Sequence, residues 1–227
     1  MRVKGLAALL LFAACVPGGE DRLAPRVPGK PGLPRSRFHR FHVETTAVAP
    51  MIRHDLSLRE IARLPGAYGS GLKTQGLTTI KHSMATHTRF STAKGDAAVY
   101  AWFNDVILEV SIASTVIYIP KEYAPSSCEY QAVLVHERQH GRTARVQAEA
   151  LAGKLEGALA IAEGLPTRFE PVVAADFAAA AETLKAAVAK VVDPVYEQYE
   201  KDEIVAQANL DRPDPYDAVY QKCAGWK

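Results

Sequence analysis

The stretch that decides the fold runs from Ser127 to Arg145 and reads SCEYQAVLVHERQHGRTAR. It contains His136 and His140, four residues apart, with Glu137 between them. Because residues four apart lie on one face of an α-helix, this spacing predicts that both imidazoles project towards a single point. Ser127 is a residue type that caps the first turn of a helix, so we expect the helix to begin there.

The residues that follow keep a helical period. The histidine face continues through apolar residues, and the opposite face is charged, which predicts an amphipathic helix whose histidine edge points inward. On the charged face, Glu149 is spaced to pair with Arg145 in solvent. The apolar set is Ala144, Ala148, Leu151 and Leu155, and the charged set is Arg138, Arg142, Arg145, Glu149 and Glu156.

This pattern predicts a zinc site with His136 and His140 as ligands. With Zn²⁺ bound there, the pKa of a water falls towards 7 and a carbonyl is polarised. Glu137 is placed to remove and return the proton as general base and acid. The expected reaction is therefore a hydrolysis.

The third zinc ligand stays open, although catalytic zinc normally takes three protein ligands. Glu149 and Glu156 are predicted to face away from the histidines. A second helix that returns alongside the first would bring Asp193 or Glu197 level with them, and His82 could reach the ion from a strand. The sequence does not choose between these candidates.

Residues before the motif helix indicate a sheet. Strand composition is found at Phe41–Val48, and alternating or β-rich stretches at Thr78–Ser91 and Val99–Ile119, the last with a bulge or bend in its middle. A short helix is expected over Ser57–Leu64, capped by Ser57 with Glu60 three residues on.

Residues after the motif indicate helices. The first helix is expected to end near Glu163, and a second to run from about Glu170 to Val192. A break or kink at Asp193-Pro194 precedes continued helix to Leu210, and a last short helix from Asp214 to Cys223. The predicted fold class is α+β, with a small, mostly antiparallel sheet followed by the motif helix and a long C-terminal helical hairpin.

The N-terminus has the pattern of an export signal. Arg2 and Lys4 precede an apolar run that is too short to span a membrane. Leu11-Phe12-Ala13-Ala14-Cys15 resembles the lipobox of bacterial lipoproteins, which predicts a signal peptide over residues 1–15 and lipidation of Cys15; an ordinary cleaved signal is the alternative. Residues 16–37 are rich in Pro and Gly and predict a tether, with the folded domain over 38–227.

The remaining cysteines are Cys128 and Cys223. In an oxidising compartment two leftover thiols tend to pair, so a disulfide is expected, with two unpaired buried thiols as the alternative.

Composition narrows the classes of function. The chain has 227 residues, a hydrophobic fraction of 48% and a charged fraction of 23%, as in ordinary globular proteins. A net charge of +2 gives no support for a nucleic-acid partner.

The region around the motif resembles the zincin metallopeptidases, in which a β-sheet precedes the His-Glu-x-x-His helix. It is not similar to the metzincins, which would need Gly at Thr143 and His at Val146. It is more similar to a group of predicted secreted bacterial zinc proteases, over roughly Gly76 to Arg145 and in the tail at Leu210-Asp211-Arg212-Pro213 leading to Tyr216 and Cys223.

The motif, its helical phase and the export signal together predict a zinc-dependent metallohydrolase of the cell envelope or periplasm, anchored by lipid and most directly a peptidase acting on peptides or peptidoglycan peptides. The alternative is a non-catalytic envelope lipoprotein with a structural metal site and a helical interaction surface.

Overall fold

The computed structural model describes residues 40–67, 75–212 and 218–226. The predicted signal peptide (1–15), the lipidation site Cys15, the tether (16–37) and the predicted start of the last helix at Asp214 lie outside these residues. The described part combines helices and strands, which confirms the α+β class.

Two pairs of consecutive strands and one single strand each precede a helix along the chain. None of the helices in the described ranges is both long and apolar enough to cross a bilayer. The elements are β1 (Arg40–Ala47), β2 (Met51–Arg53), α1 (Leu58–Ile61), β3 (Leu77–Lys94), β4 (Val99–Tyr118), α2 (Cys128–Ile161), β5 (Val172–Ala174) and α3 (Phe177–Leu210).

The sheet is organised around β4, with which each of the other four strands pairs. Residues Met51 to Arg53 of β2 pair with Val116 to Tyr118 in parallel, whereas β5 pairs antiparallel with the start of β4. The sheet is therefore mixed, and the prediction of a mostly antiparallel sheet is wrong. The intervening α1 and β3 allow the chain to return to β4 in the same direction as β2, which a direct hairpin cannot do.

The burial pattern of β4 changes phase along the strand. Val110 and Ile112 are buried, and then Thr115 and Ile117. Buried positions thus pass from even to odd numbers between Ile112 and Thr115, where the sequence predicts a bulge or bend. This change keeps apolar side chains buried on both sides of the shift.

The short helix α1 forms as predicted. The Ser57 side chain accepts from the backbone N–H of Glu60, and the Glu60 side chain accepts from the backbone N–H of Ser57, which is a complete capping box.

The second long helix differs from the prediction at its start and its middle. Residues predicted to begin a helix near Glu170 instead lead into β5, and α3 begins at Phe177, where Asp176 accepts a 2.8 Å bond from the Ala179 N–H. Of the kink or break predicted at Asp193-Pro194, the break is wrong, because α3 continues through Pro194. A proline removes one helical hydrogen bond, and burial of neighbouring side chains such as Val192 offsets that loss.

Contacts group the chain into two compact units. The first, called here the site unit, comprises Thr45–Ser83, Ser111–Ala150 and Gln198–Lys227. The second comprises Met84–Val110, Leu151–Glu197 and the chain up to Glu44. Each has its own buried side chains, among them Ile61, Ile117 and Val133 in the site unit and Phe103, Leu155 and Leu184 in the second.

Candidate metal centre

The two motif histidines meet on one face of α2, as their spacing predicts. The helix is capped by Ser127, whose hydroxyl accepts a 3.1 Å bond from the Tyr130 N–H. His136 and His140 are buried, with 5% and 9% of their surface exposed. Their Nε2 atoms lie 3.3 Å apart, so both imidazoles present a nitrogen to the same point.

A third side chain that the sequence did not predict, Asp211, completes the group. Its Oδ1 lies 3.1 Å from the Nε2 of His136 and 3.1 Å from the Nε2 of His140. Asp211 is the first residue after α3, and 40% of its side chain is exposed. These three residues could hold a metal ion.

The mutual distances of the three donor atoms test whether a metal fits. Ligand atoms about 2.0–2.1 Å from a tetrahedral zinc ion must be about 3.3–3.4 Å from one another. The observed separations are 3.1, 3.1 and 3.3 Å, so the donor atoms already form nearly one face of such a tetrahedron. Two imidazole nitrogens and one carboxylate oxygen are also a donor set that binds zinc in proteins.

The other proposed third ligands are not part of this group. Helix α3 meets His140 at Gln207. Glu197 and Asp193 lie ten and 14 residues earlier on α3, about 15 and 21 Å back along its axis. Asp211, four residues after Gln207, is therefore the carboxylate that reaches the histidines.

His82 is bound elsewhere in the site unit. Its Nε2 lies 2.7 Å from Glu203 Oε1, and its Nδ1 lies 2.9 Å from the Tyr199 hydroxyl. Both ring nitrogens therefore have protein partners, and His82 does not join the metal group.

The carboxylates predicted to face away from the histidines do so. Glu156 accepts a 3.3 Å bond from the Val43 N–H in the second unit. Glu149 is exposed, and within the described residues its predicted ion pair with Arg145 does not form.

Gln207 clamps the ring of His140. Its Oε1 lies 2.7 Å from His140 Nδ1, and its Nε2 donates a 3.2 Å bond to the His140 carbonyl. A side-chain carbonyl only accepts hydrogen bonds, so Nδ1 must carry the proton. In the neutral ring the lone pair of His140 is then on Nε2, which faces Asp211 and His136. Such outer partners orient metal-binding histidines.

Glu137 is held beside the histidines in a closely packed position. It is 4% exposed, and its Oε2 accepts a 2.8 Å bond from the Thr78 hydroxyl. Gly76 packs against it: a Cβ at this position would lie 2.7 Å from Glu137 Oε1 and 2.5 Å from Val133 Cγ1. Only glycine permits this approach without moving Glu137 or Val133.

The charges of the group perturb one another. Burial raises the pKa of Glu137, and the nearby His140, His136 and Thr78 oppose that rise only in part. Burial acts to lower the pKa of His140, but the hydrogen bond to Asp211, the charges of Glu137 and Asp211, and the hydrogen bond to Gln207 together outweigh it, and the pKa is raised. Burial acts to raise the pKa of Asp211, but the bonds from both histidines hold this pKa well below its usual range. Both shifts favour the charged forms of His140 and Asp211 in the metal-free group.

The predicted disulfide is confirmed. Cys128 and Cys223 are bonded to each other across 95 residues of sequence. The bond joins the first residue of α2, eight residues before His136, to the C-terminal segment. It fixes the start of the helix that carries the metal ligands.

Sequence alone gave little signal for Asp211. It stands in the quoted tail Leu210-Asp211-Arg212-Pro213, just before a proline that favours the end of a helix. A carboxylate at such a helix end was the available clue. No family model, no curated protein and no solved structure matches this chain, so the resemblance to secreted zinc proteases stays a prediction.

Proposed function

We propose that this protein is a zinc-dependent hydrolase, most directly a peptidase, with His136, His140 and Asp211 as ligands and Glu137 as general base and acid. The observation that carries the proposal is the set of three donor atoms, 3.1–3.3 Å apart, beside a buried carboxylate. The three ligands alone would account for a bound metal ion. The buried carboxylate of Glu137 beside them is the feature that favours hydrolysis over metal binding alone.

Each residue has a distinct task in this proposal. Bound zinc supplies a water of lowered pKa and polarises the substrate carbonyl. Glu137 takes up a proton from the attacking water and delivers it to the leaving amine. Thr78 holds one carboxylate oxygen of Glu137, which leaves the other oxygen for this transfer. Gln207 keeps His140 in the tautomer that binds metal.

The coordination number favours catalysis over a structural ion. Structural zinc sites are closed by four protein ligands, whereas catalytic sites keep one position open. Among the residues that the structure describes, no fourth His, Cys, Asp or Glu joins the group. The partial exposure of Asp211 gives the group a side towards solvent.

The proposed substrates are peptides, including the peptide cross-links of peptidoglycan, since both contain the same amide bond. The lipobox-like sequence ending at Cys15 supports action in the cell envelope or periplasm, with the protein anchored by lipid. Labelling with a radioactive fatty acid tests the anchor: label must be present in the wild-type chain and absent from Cys15→Ser.

The decisive experiment separates metal binding from chemistry. Bound zinc and hydrolysis of a mixed peptide substrate and of cross-linked peptidoglycan are measured in the wild type, Glu137→Gln and Asp211→Ala. We expect one zinc per chain in the wild type and Glu137→Gln, with hydrolysis lowered about 10²- to 10⁴-fold in Glu137→Gln. Asp211→Ala is expected to lose both zinc and activity.

A matched control comes from the same helix. Glu149→Gln makes the same substitution at an exposed glutamate and is expected to behave as the wild type. Substoichiometric zinc in both the wild type and Glu137→Gln would exclude the metal site. Equal hydrolysis by these two proteins would exclude the role of Glu137, and full zinc with no hydrolysis of either substrate would favour a structural ion.

A further inference from the structure

The site unit contains a cavity on the side of α2 away from the histidines. Its volume is about 310 Å³, at the small end of the range for ligand-binding pockets. Apolar side chains from the strands and from α2 line it, including Val48, Ile112, Ile117 and Val146. Gly141 lies in the lining and leaves room between α2 and Thr115.

Three arginines stand at this cavity: Arg138, Arg142 and Arg145. Their spacing places them along one face of α2, and all three are exposed. Within the described parts of the chain none of them has a carboxylate within 4.0 Å, and this includes Glu149, the expected partner of Arg145. The cavity therefore carries a concentrated, uncompensated positive charge.

Part of the apolar lining is exposed at the surface. Val48 and Val146 are 58% and 56% exposed although they line the cavity. Exposed apolar side chains grouped around one cavity mark binding sites.

We propose that this cavity binds an anionic lipid, with acyl carbons against the apolar lining and the carboxylate or phosphate head group on the arginines. A simple inorganic anion would use the arginines but leave the apolar lining exposed to water. A neutral lipid would cover the lining but leave the arginines unpaired. Guanidinium groups bind carboxylates and phosphates through paired hydrogen bonds, so an anionic amphiphile satisfies both parts of the site.

The site is separate from the metal centre and does not depend on the proposed hydrolase activity. Arg138 and Arg142 each follow a ligand histidine by two residues, which is about 200° around a helix axis. Loss of zinc or of hydrolysis would leave the lipid proposal unchanged.

Binding of dodecanoate to the purified full-length protein is the direct test, with dodecyltrimethylammonium as a probe of equal chain length and opposite charge. We expect dodecanoate to bind and the cation not to bind. A variant with Arg138→Gln, Arg142→Gln and Arg145→Gln should bind dodecanoate at least about tenfold more weakly, because the charged hydrogen bonds are lost. A variant with Arg59→Gln, Arg63→Gln and Arg168→Gln removes the same charge elsewhere and should bind as the wild type.

A second substitution tests the apolar part. Val146→Glu places a carboxylate at an exposed lining position that folding does not require, and it should weaken binding to a similar degree. Retention on phosphatidylglycerol vesicles over phosphatidylcholine vesicles, compared between the two triple variants, shows whether the lipid is bound from a bilayer; free dodecanoate binding alone shows a soluble amphiphile. Either result supports the proposal. Equal binding of the cation, equal loss in both triple variants, or binding only of an acidic peptide would overturn it.

Discussion

Replacement of Gln207 by leucine should weaken zinc binding without unfolding the protein. Gln207 accepts a 2.7 Å hydrogen bond from Nδ1 of His140, whose side chain is 11% exposed. Leucine has similar volume and good helix propensity, so α3 should persist. The variant loses the side-chain acceptor that keeps the proton on Nδ1 of His140.

The size of the effect follows from the burial of that N–H. A buried donor without a partner costs about 1–3 kcal/mol. In the metal-free variant the ring proton can move to Nε2, which already faces Asp211 at 3.1 Å, but zinc at Nε2 requires the proton on Nδ1, where it has no partner. The penalty therefore applies on metal binding, and at 1.4 kcal/mol per factor of ten it lowers zinc affinity about 10- to 100-fold.

Competition with a chromophoric chelator measures this affinity directly. Gln207→Glu keeps an acceptor at the same place and should bind zinc as tightly as the wild type or more tightly. Gln198→Leu makes the same change at an exposed position on α3 and should leave the affinity unchanged. Wild-type zinc affinity in a folded Gln207→Leu protein would refute the assignment of Gln207 as the residue that orients His140.

Four further predictions have defined outcomes. Gly76→Ala should retain zinc but lose at least about tenfold in hydrolysis, since its Cβ would force Glu137 or Val133 to move, and wild-type turnover would contradict that contact. Zinc affinity should rise about tenfold per pH unit up to the raised pKa of His140 and then level off, because one proton must leave; a flat profile would contradict the pairing. In metal-free protein, the stabilisation from protonated His140 should be complete below its unfolded pKa and lost as pH rises through the raised pKa. The stabilisation from ionised Asp211 should be present above the pKa of Asp211 in the unfolded chain, and it should be lost as the pH falls through its lowered pKa in the folded protein. Replacing Cys128 and Cys223 together by serine should lower the free energy of unfolding by about 4–5 kcal/mol in chemical denaturation, given the 95-residue separation, and a loss below about 1 kcal/mol would contradict the loop-closure account.

Local sequence patterns predicted the elements that depend on short-range physics. The Ser57–Glu60 capping box and the helical phase that buries His136 and His140 need only neighbours within about four residues. The same patterns failed to predict β5, and the break that they allowed at Pro194 does not occur. There, pairing of Val172 to Ala174 with β4 and burial along α3 decided the structure against local preference.

The sequence by itself determined that two histidines and a glutamate share a buried helix face, because the four-residue period of a helix fixes that geometry. Only the tertiary structure decided which carboxylate joins them. Asp211 lies 71 residues from His140 along the chain. The contact of Gln207 with His140, which spans 67 residues and which no local pattern encodes, aligns Asp211 with the histidines in place of Glu197 or Asp193.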